Sequence, residues 1–268
     1  MTHEELFKIE KEGYITWLTL NRPEQRNRMT IGFLESFMEL FDQFDKDPDV
    51  RAVIIKAEGK SFTAGMDVSE LSSLLAGGGA DSREQLRKSI LHLQEGINVI
   101  ERCRKPVIAA VHSHCIGGGI DMISACDIRI ASKDVVFSIR ETKIAIVADL
   151  GTLQRLPHII GDGWFRELAL TGRDFSGEEA LKMGLITHLL EDRKALYDKA
   201  KSIAEEIVTC SPLAIQGVKD VILYDRDSSV HAGLEYVAQK NATLLPSEDM
   251  IEALQAFKEK RPPVFKGK

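Results

Sequence analysis

The chain has 268 residues, of which 44% are hydrophobic and 28% are charged, as in a globular protein with a substantial core. Its formal net charge of −6 argues against a general nucleic-acid binder, and no apolar run reaches the length of a membrane span. The length suits one large domain, or one domain with a helical appendage.

The amino-terminal part of the chain predicts a strand, a helix and a second strand. Residues 14–20 are rich in β-formers, which predicts a strand that ends in turn residues at 21–24. Apolar residues at helical spacing predict a helix over 31–45, and a short apolar run predicts a buried strand at 53–57.

Two segments with glycines follow. Residues 60–67 predict a loop that enters a helix, with Asp67 as a candidate N-cap. Residues 72–84 contain three consecutive glycines at 77–79 and are predicted to be flexible. No Lys-Ser/Thr follows these glycines, which excludes a Walker phosphate loop, and a long helix is predicted over 83–102.

The remaining elements divide the chain into two regions. Short strands are predicted at 107–111, 127–131 and 136–139, and helices near 200–209, 213–225, 230–244 and 247–260. Strands mixed with helices, followed by helices alone, predict an α/β core over 1–198 and a helical region over 199–268.

The four cysteines, Cys103, Cys115, Cys126 and Cys210, have neither the spacing nor the density of a disulfide framework. We therefore expect reduced thiols and a cytoplasmic location. The amino terminus has no apolar signal region and the last residues are not a Ser-Lys-Leu address, so neither secretion nor peroxisomal targeting is expected.

Two glycine loops are the first candidates for chemistry. Residues 62–67 and 116–121 each follow a predicted strand and place backbone amides at the start of a helix, where unpaired N–H groups favour negative charge. If the loops converge, they form an oxyanion hole for an enolate or a tetrahedral oxyanion. The alternative is that the glycines merely permit tight packing of helix on strand.

Three carboxylates lie in or beyond the second loop: Asp121, Glu141 and Asp149. Amide donors beside several carboxylates indicate proton transfer next to a carbonyl. Structural alternatives remain for each acid. Asp121 suits a helix cap, Glu141 a solvated charge at a strand end, and Asp149 a turn residue.

Other polar residues near the glycines are expected to be structural. Asp127 and Arg129 are interpreted as a pair below the site. His112 and His114 lie beside a predicted core strand, where single histidines are more often packing residues.

Several segments, in the order in which they occur, resemble the crotonase (enoyl-CoA hydratase/isomerase) superfamily from about Phe7 to Lys260. They are residues 20–24, 62–67, Lys105-Pro106-Val107-Ile108-Ala109-Ala110-Val111-His112, Gly117-Gly118-Gly119, Ala125-Cys126-Asp127-Ile128-Arg129, 151–157, 178–180 and 184–186. The resemblance implies a spiral of ββα units, a carboxy-terminal helical trimerisation region, and assembly as a homotrimer or homohexamer. It also implies an acyl-CoA substrate, an oxyanion hole built from the amides of Met66 and Gly118, and no metal or redox cofactor, since coenzyme A is part of the substrate.

The acids decide which members of the family the chain resembles most. Hydratases of this family carry two glutamates, at the positions of Asp121 and Glu141, and usually a glycine at the position of Asp149. The Asp, Glu, Asp set, with residues 100–103 and 148–155, is similar to the Δ3,5-Δ2,4-dienoyl-CoA isomerases. This implies that Glu141 and Asp149 transfer protons, in an order left open, while Asp121 tunes the protonation of one of them.

The resemblance also implies residues that bind CoA. Arg26 and Asn27 lie where the family contacts the adenine and phosphates, and Ala64 belongs to the same set. Phe257 and Lys258 resemble a helix that completes the CoA site of the neighbouring subunit. The same residues equally suit a solvated surface.

Three rival functions remain open from the sequence. The first is an enoyl-CoA hydratase that uses Asp121 and Glu141. The second is a dehalogenase of the 4-chlorobenzoyl-CoA type, which is disfavoured because Gln94 and Glu141 stand where that family has a histidine and a tryptophan. The third is a non-catalytic RNA-binding relative, which the acidic balance and the intact acids disfavour. The length and shape of the acyl chain do not follow from the sequence.

Overall fold

The computed structural model describes residues 3–70 and 79–268. Its strands are β1 Phe7–Glu12, β2 Ile15–Leu20, β3 Ala52–Ala57, β4 Val107–Val111, β5 His114–Ile116, β6 Ile128–Ser132, β7 Val136–Ser138, β8 Asp174–Ser176 and β9 His188–Leu190.

The helices within the same ranges include a short first turn and a long carboxy-terminal series. They are α1 His3–Leu6, α2 Ile31–Lys46, α3 Ala80–Arg102, α4 Gly118–Ser124, α5 Thr152–Ile160, α6 Asp162–Thr171, α7 Gly177–Met183, α8 Arg193–Val208, α9 Pro212–Asp225, α10 Val230–Leu244 and α11 Glu248–Glu259. Short 3-10 turns lie at Pro23–Gln25 and Glu141–Ile144.

The described strands form two sheets. The larger has the order β1-β2-β3-β4-β6-β9 and is parallel except for the β1–β2 hairpin, and the smaller has the order β5-β7-β8. From β4 onward the chain visits both sheets in turn, since β4 is followed by β5 and then α4, and β6 by β7 and then α5. The predicted α/β class is confirmed, and this alternation is a ββα pattern.

One core lies between the larger sheet and α2. The helix starts at the N-cap Thr30, whose hydroxyl accepts a hydrogen bond from Phe33 N at 3.1 Å. Phe33, Phe37 and Phe41 recur at helical spacing, are buried, and contact one another in sequence with ring centroids about 5 Å apart. Burial of each such ring contributes about 1.5–3 kcal/mol.

A second core covers the other face of the larger sheet. Leu196, Ala200 and Ala204 of α8 pack there against Ile54 and Ile108. The predicted start near residue 200 was too late, because Asp192 caps the helix by accepting from Ala195 N at 2.8 Å. The predicted division between residues 198 and 199 falls inside α8, and the two-domain description stays a prediction.

Two other predictions are changed by the structure. The segment 72–84 is predicted to be flexible. Its residues up to 78 lie outside the described residues, and its part from Ala80 onward is helical. Asp127 forms its ion pair with Lys219, at 2.7 Å, rather than with Arg129. The Arg129 guanidinium donates instead to backbone carbonyls, including Leu185 O at 2.8 Å.

Within the described ranges, no helix taken singly is long and apolar enough to cross a membrane. The consecutive helices α8 and α9 meet that length and composition test only as a pair, which is bent by 107° at their junction.

Candidate active site

The two glycine loops meet at the edge of the smaller sheet. Thr63 N donates to His114 O at 3.0 Å, and Ile116 N donates back to Thr63 O at 3.3 Å. Gly117 N donates to Ser138 O at 2.9 Å, which joins the second loop to the end of β7. These backbone bonds hold the first loop, the second loop and the approach to Glu141 side by side.

The approach of the loops is close enough to require glycine. Gly65 has a φ of +85°, and a Cβ atom there would lie 2.5 Å from Ile116 O. A Cβ on Gly118 would lie 3.3 Å from Met66 N and 3.1 Å from Met66 Cγ. The amides of Met66 and Gly118, predicted as oxyanion donors, are therefore neighbours.

Both amides are free to donate to a ligand. Gly118 is the first residue of α4, so its N–H has no acceptor inside the helix. Met29 pairs with the residues on either side of Met66: Met29 N donates to Gly65 O and Asp67 N donates to Met29 O, each at 2.8 Å. The N–H of Met66 itself takes no part in this pairing. Across residues 3–70 and 79–268, neither N–H has a protein acceptor.

A cavity of about 350 Å³ opens beside these amides and contains all three predicted acids. Its lining residues are Arg28, Ala64, Gly65, Met66, Asp67, Val68, Ile116, Gly117, Gly118, Asp121, Arg140, Glu141, Ile144, Ile146, Asp149 and Leu150. The acids thus share one space with the candidate donors, although up to twenty-eight residues separate them along the chain.

Asp121 is buried in the wall of this cavity. Its Oδ1 accepts from Thr152 N at 2.7 Å, so the carboxyl caps the start of α5 rather than its own helix. Burial raises the pKa of Asp121 to about 7, the Thr152 hydrogen bonds oppose this rise, and the nearby charges of Glu141 and Asp149 add to it.

Glu141 opens the 3-10 turn after β7 and lies against the second glycine loop. Its Oε1 is 3.1 Å from the position of a Cβ on Gly117. Its Oε2 is buried and has no hydrogen-bond partner in the described part of the chain. Burial raises the pKa of Glu141, and the charge of Asp149 raises it further. A solvated charge at a strand end does not describe this residue.

Asp149 reaches the cavity through a sharp change of chain direction. Ala145, with a left-handed φ of 61°, ends the 3-10 turn and redirects the backbone from Glu141 toward Asp149. Burial raises the pKa of Asp149. The cavity therefore contains three carboxyls whose pKa values are raised by burial, an arrangement suited to general acid–base chemistry.

The sequence profile of the enoyl-CoA hydratase/isomerase family matches residues 10–268. The chain belongs to this family. Within it, the chain is 45% identical to the peroxisomal Delta(3,5)-Delta(2,4)-dienoyl-CoA isomerase of Arabidopsis thaliana, over 97% of this chain and 96% of the plant protein. It is 42% identical to the mitochondrial protein of that name from Homo sapiens, over 97% of this chain and 81% of the human protein.

Solved structures of family members have the same fold. The crystal structure of an enoyl-CoA hydratase from Bacillus anthracis superposes with a TM-score of 0.90 and 32% identity, over 98% of this chain and 100% of the bacterial one. The predicted crotonase fold is thereby confirmed.

The residues expected to bind CoA are placed differently from one another. Ala64 lines the cavity, and its N–H donates to Arg26 O at 2.9 Å. Arg26 is exposed. Asn27 is buried, and its amide group donates to Glu58 O and Ser61 O at 2.8 and 2.9 Å. Because both donors of this side chain are engaged, its role in the structure is to hold the loop, and its part in CoA binding stays a prediction.

Phe257 and Lys258 lie exposed near the end of α11, and neither lines the cavity of the same chain as far as the described residues show. The sequence did not single out Arg28 and Arg140, which do line it and are paired with Asp67 and Asp174. The sequence offered an indication for Arg140 alone, which directly precedes Glu141.

His112 is a buried packing residue, as expected. Burial lowers its pKa to about 4, and its Nε2 lies 3.3 Å from Gly59 O. Among residues 3–70 and 79–268, no group of three or more histidines, cysteines and acids is arranged to hold a metal ion. The expectation that no metal is needed stays a prediction.

Proposed function

We propose that this member of the enoyl-CoA hydratase/isomerase family is a Δ3,5-Δ2,4-dienoyl-CoA isomerase. The observation that carries the proposal is the presence of Asp149 in one cavity with Glu141, Asp121 and the two unpaired amides. The plant and human relatives that bear this name support it.

The reaction moves two conjugated double bonds by one position. A base removes a proton from C2 of the 3,5-dienoyl thioester, and the electrons of that C–H bond spread through the diene and into the thioester oxygen. An acid then delivers a proton to C6, and the double bonds settle between C2 and C3 and between C4 and C5. One proton leaves and one arrives, so no redox partner is needed.

The two ends of this dienolate are too far apart for one carboxyl to serve both easily. Glu141 and Asp149 are therefore the proton-transfer pair, with their order left open. General acid–base help of this kind contributes about 10²–10⁴-fold in rate. The amides of Met66 and Gly118 donate to the thioester oxygen, where each such donor contributes on the order of 10²–10³-fold.

Asp121 supports this pair rather than replacing one of its members. Its carboxyl is engaged with Thr152 N at 2.7 Å, and the charges of Glu141 and Asp149 raise its pKa, so its protonation is coupled to theirs. A hydratase needs the acids at positions 121 and 141 to activate water. The shorter and already engaged Asp121 favours the isomerase over the hydratase that the B. anthracis likeness also suggests.

We also propose that the protein assembles as a homotrimer or homohexamer through its carboxy-terminal helices. Several apolar side chains there are exposed in the single chain: Val218, Ile222, Val230, Leu234, Ile251, Leu254 and Phe257. In this assembly Phe257 and Lys258 contact CoA bound to the neighbouring subunit, while Arg26 and Ala64 contact CoA bound to their own.

No cofactor besides the CoA of the substrate is proposed. A cytoplasmic location is retained from the pattern of reduced cysteines, whereas the plant and human relatives are described as peroxisomal and mitochondrial.

The test is to incubate the purified protein with 3,5-octadienoyl-CoA and follow the ultraviolet absorbance of the conjugated 2,4-dienoyl thioester. The proposal predicts a rapid rise in this absorbance and slow hydration of crotonyl-CoA. Rapid hydration of crotonyl-CoA without isomerisation would instead identify a hydratase.

A further inference from the structure

A second, polar chamber of about 320 Å³ lies on the far side of Asp149. It shares Asp149 and Leu150 with the cavity that contains the acids and is otherwise lined by Gln94, Asn98, Glu101, Gly151, Gln154, Arg155 and Arg226. Two of these side chains, Gln94 and Arg155, support the Asp149 segment from behind, and the roles proposed above leave them unused.

The first support comes from α3. Gln94, Asn98 and Glu101 are spaced i, i+4 and i+7, which places them on one face of the helix. Gln94 Nε2 donates to Asp149 O at 2.7 Å. This bond fixes the backbone of the residue whose carboxyl enters the cavity, while Gln94 itself does not line that cavity in the described structure.

The second support is the buried guanidinium of Arg155, from α5. It donates to Leu150 O at 3.4 Å, to Asn98 Oδ1 at 2.7 Å, and to Glu101 Oε2 at 3.1 and 3.2 Å. It also packs directly on Gly151, where a Cβ atom would lie 1.7 Å from Arg155 Nη1. One planar group thus holds the two residues that follow Asp149.

The network continues into the carboxy-terminal helices. Arg226, at the end of α9, pairs with Glu101 Oε1 at 2.6 Å, and Glu101 Oε2 holds Arg155. Glu101 therefore connects three elements behind a single peptide segment, and its two oxygens have charged donors.

We propose that Gln94 and Arg155 are positioning residues that hold the Asp149-Leu150-Gly151 backbone so that the Asp149 carboxyl faces the substrate carbon it serves. The inference rests on the proposed isomerase function. A displacement of about 1 Å at a reacting group lowers a rate by up to about 10²-fold. Loss of either support therefore acts on the proton-transfer step rather than on CoA binding.

The test compares Gln94→Met with Gln154→Met. Methionine keeps the length of glutamine but removes the donor. Gln154 lines the same chamber, and within the described residues its side-chain amide makes no hydrogen bond to the Asp149 segment. Gln94→Met should lower kcat for 3,5-octadienoyl-CoA by on the order of 10–100-fold with KM nearly unchanged, and Gln154→Met should leave both constants unchanged.

Two further readouts separate positioning from a general loss of structure. In an Asp149→Asn background, Gln94→Met should cause no additional loss of the residual rate, because the group it positions is already absent. In protein carrying ¹³C-aspartate, the Asp149 carboxyl signal, assigned by its absence in Asp149→Asn, should titrate at lower pH in Gln94→Met, because a loosened segment lets water reach the carboxyl.

The outcomes are distinct for the two proposals. If the wild-type protein shows no isomerase activity but Gln94→Met still shifts the titration of Asp149, the isomerase function is rejected and the positioning role of Gln94 is supported. An active wild type, with kcat and the Asp149 titration both unchanged in Gln94→Met, would overturn the positioning role. An equal further loss in the Asp149→Asn background would also overturn it.

Discussion

Replacement of Asp121 by asparagine should change how the stability of the protein depends on pH. Asp121 is 2% exposed, and the pKa of its carboxyl is raised to about 7, compared with 3.8 for an ordinary aspartate. Between these values the folded protein binds more protons than the unfolded chain does. The free energy of unfolding therefore falls as pH rises through this window.

The size of this effect follows from the two pKa values. A difference of about three pKa units corresponds to about 4 kcal/mol, at 1.36 kcal/mol for each unit. Because Glu141 and Asp149 titrate in the same cavity, we expect Asp121→Asn to remove about 2–4 kcal/mol of the decline between pH 4 and pH 8. Asparagine keeps an oxygen that accepts from Thr152 N, so the helix cap is retained.

The assay is urea unfolding at fixed protein concentration, followed by the fluorescence of Trp17 and Trp164 at several pH values. The variant should nearly match wild type at pH 4 and exceed it at pH 8. The control is Asp47→Asn, at a partly exposed carboxylate whose pKa is lowered by Lys11, so any small effect should have the opposite sign. Parallel curves for wild type and Asp121→Asn would show that the pKa of Asp121 is not raised in the folded protein.

Three other changes test separate parts of the structure. Gly118→Ala places a methyl group 3.3 Å from Met66 N and 3.1 Å from Met66 Cγ, so isomerase kcat should fall by about 10²–10³-fold with some loss of thermal stability, and an unchanged kcat would reject the two-amide oxyanion hole. Lys219→Met leaves the partly exposed Asp127 carboxylate without its cation and should cost about 1–3 kcal/mol in urea unfolding, partly restored by Asp127→Asn in the same chain, whereas an unchanged midpoint would contradict the pairing. Iodoacetamide at pH 8 should spare the three buried cysteines, because burial raises their thiol pKa values, and mass spectrometry that finds them modified in folded protein would contradict this burial.

Periodicity predicted the elements that bury one clear face. The phenylalanines of α2 lie at helical spacing and the apolar run of β3 is short and bounded, so both elements were found within one residue of their observed starts. In contrast, β1 exposes almost every residue on the edge of the sheet, and β8 and β9 have three residues each. Such strands form because a neighbouring strand pairs with them, and their own sequences show little alternation of apolar and polar residues.

Contacts across long distances in sequence were the least predictable part. The spacing of Asp127 and Arg129 suggested a pair, but the cation beside Asp127 is Lys219, ninety-two residues away. The family pattern located the loop of Asn27 but did not indicate that its side-chain amide donates to backbone carbonyls around it. The support of Asp149 by Gln94 is of the same kind, because a backbone carbonyl leaves no mark in the sequence.

The acids of the site were predictable because the residues at three positions had to match one subfamily at once. Their structural alternatives were only partly incorrect, since Asp121 does cap a helix, the distant α5. What the sequence did not predict is the environment that raises all three pKa values, because it depends on how the glycine loops and the turn at Ala145 close around them.

The most direct test of the proposed isomerase function is the rate at which the Asp149→Asn variant converts 3,5-octadienoyl-CoA to the 2,4-dienoyl thioester, compared with wild type and with Asp47→Asn as a control. Asparagine keeps the shape of the side chain but cannot exchange the proton. The isomerase proposal predicts active wild-type and control proteins and a loss of at least about 10²-fold in Asp149→Asn. Wild-type activity in Asp149→Asn would contradict the central role of this carboxylate.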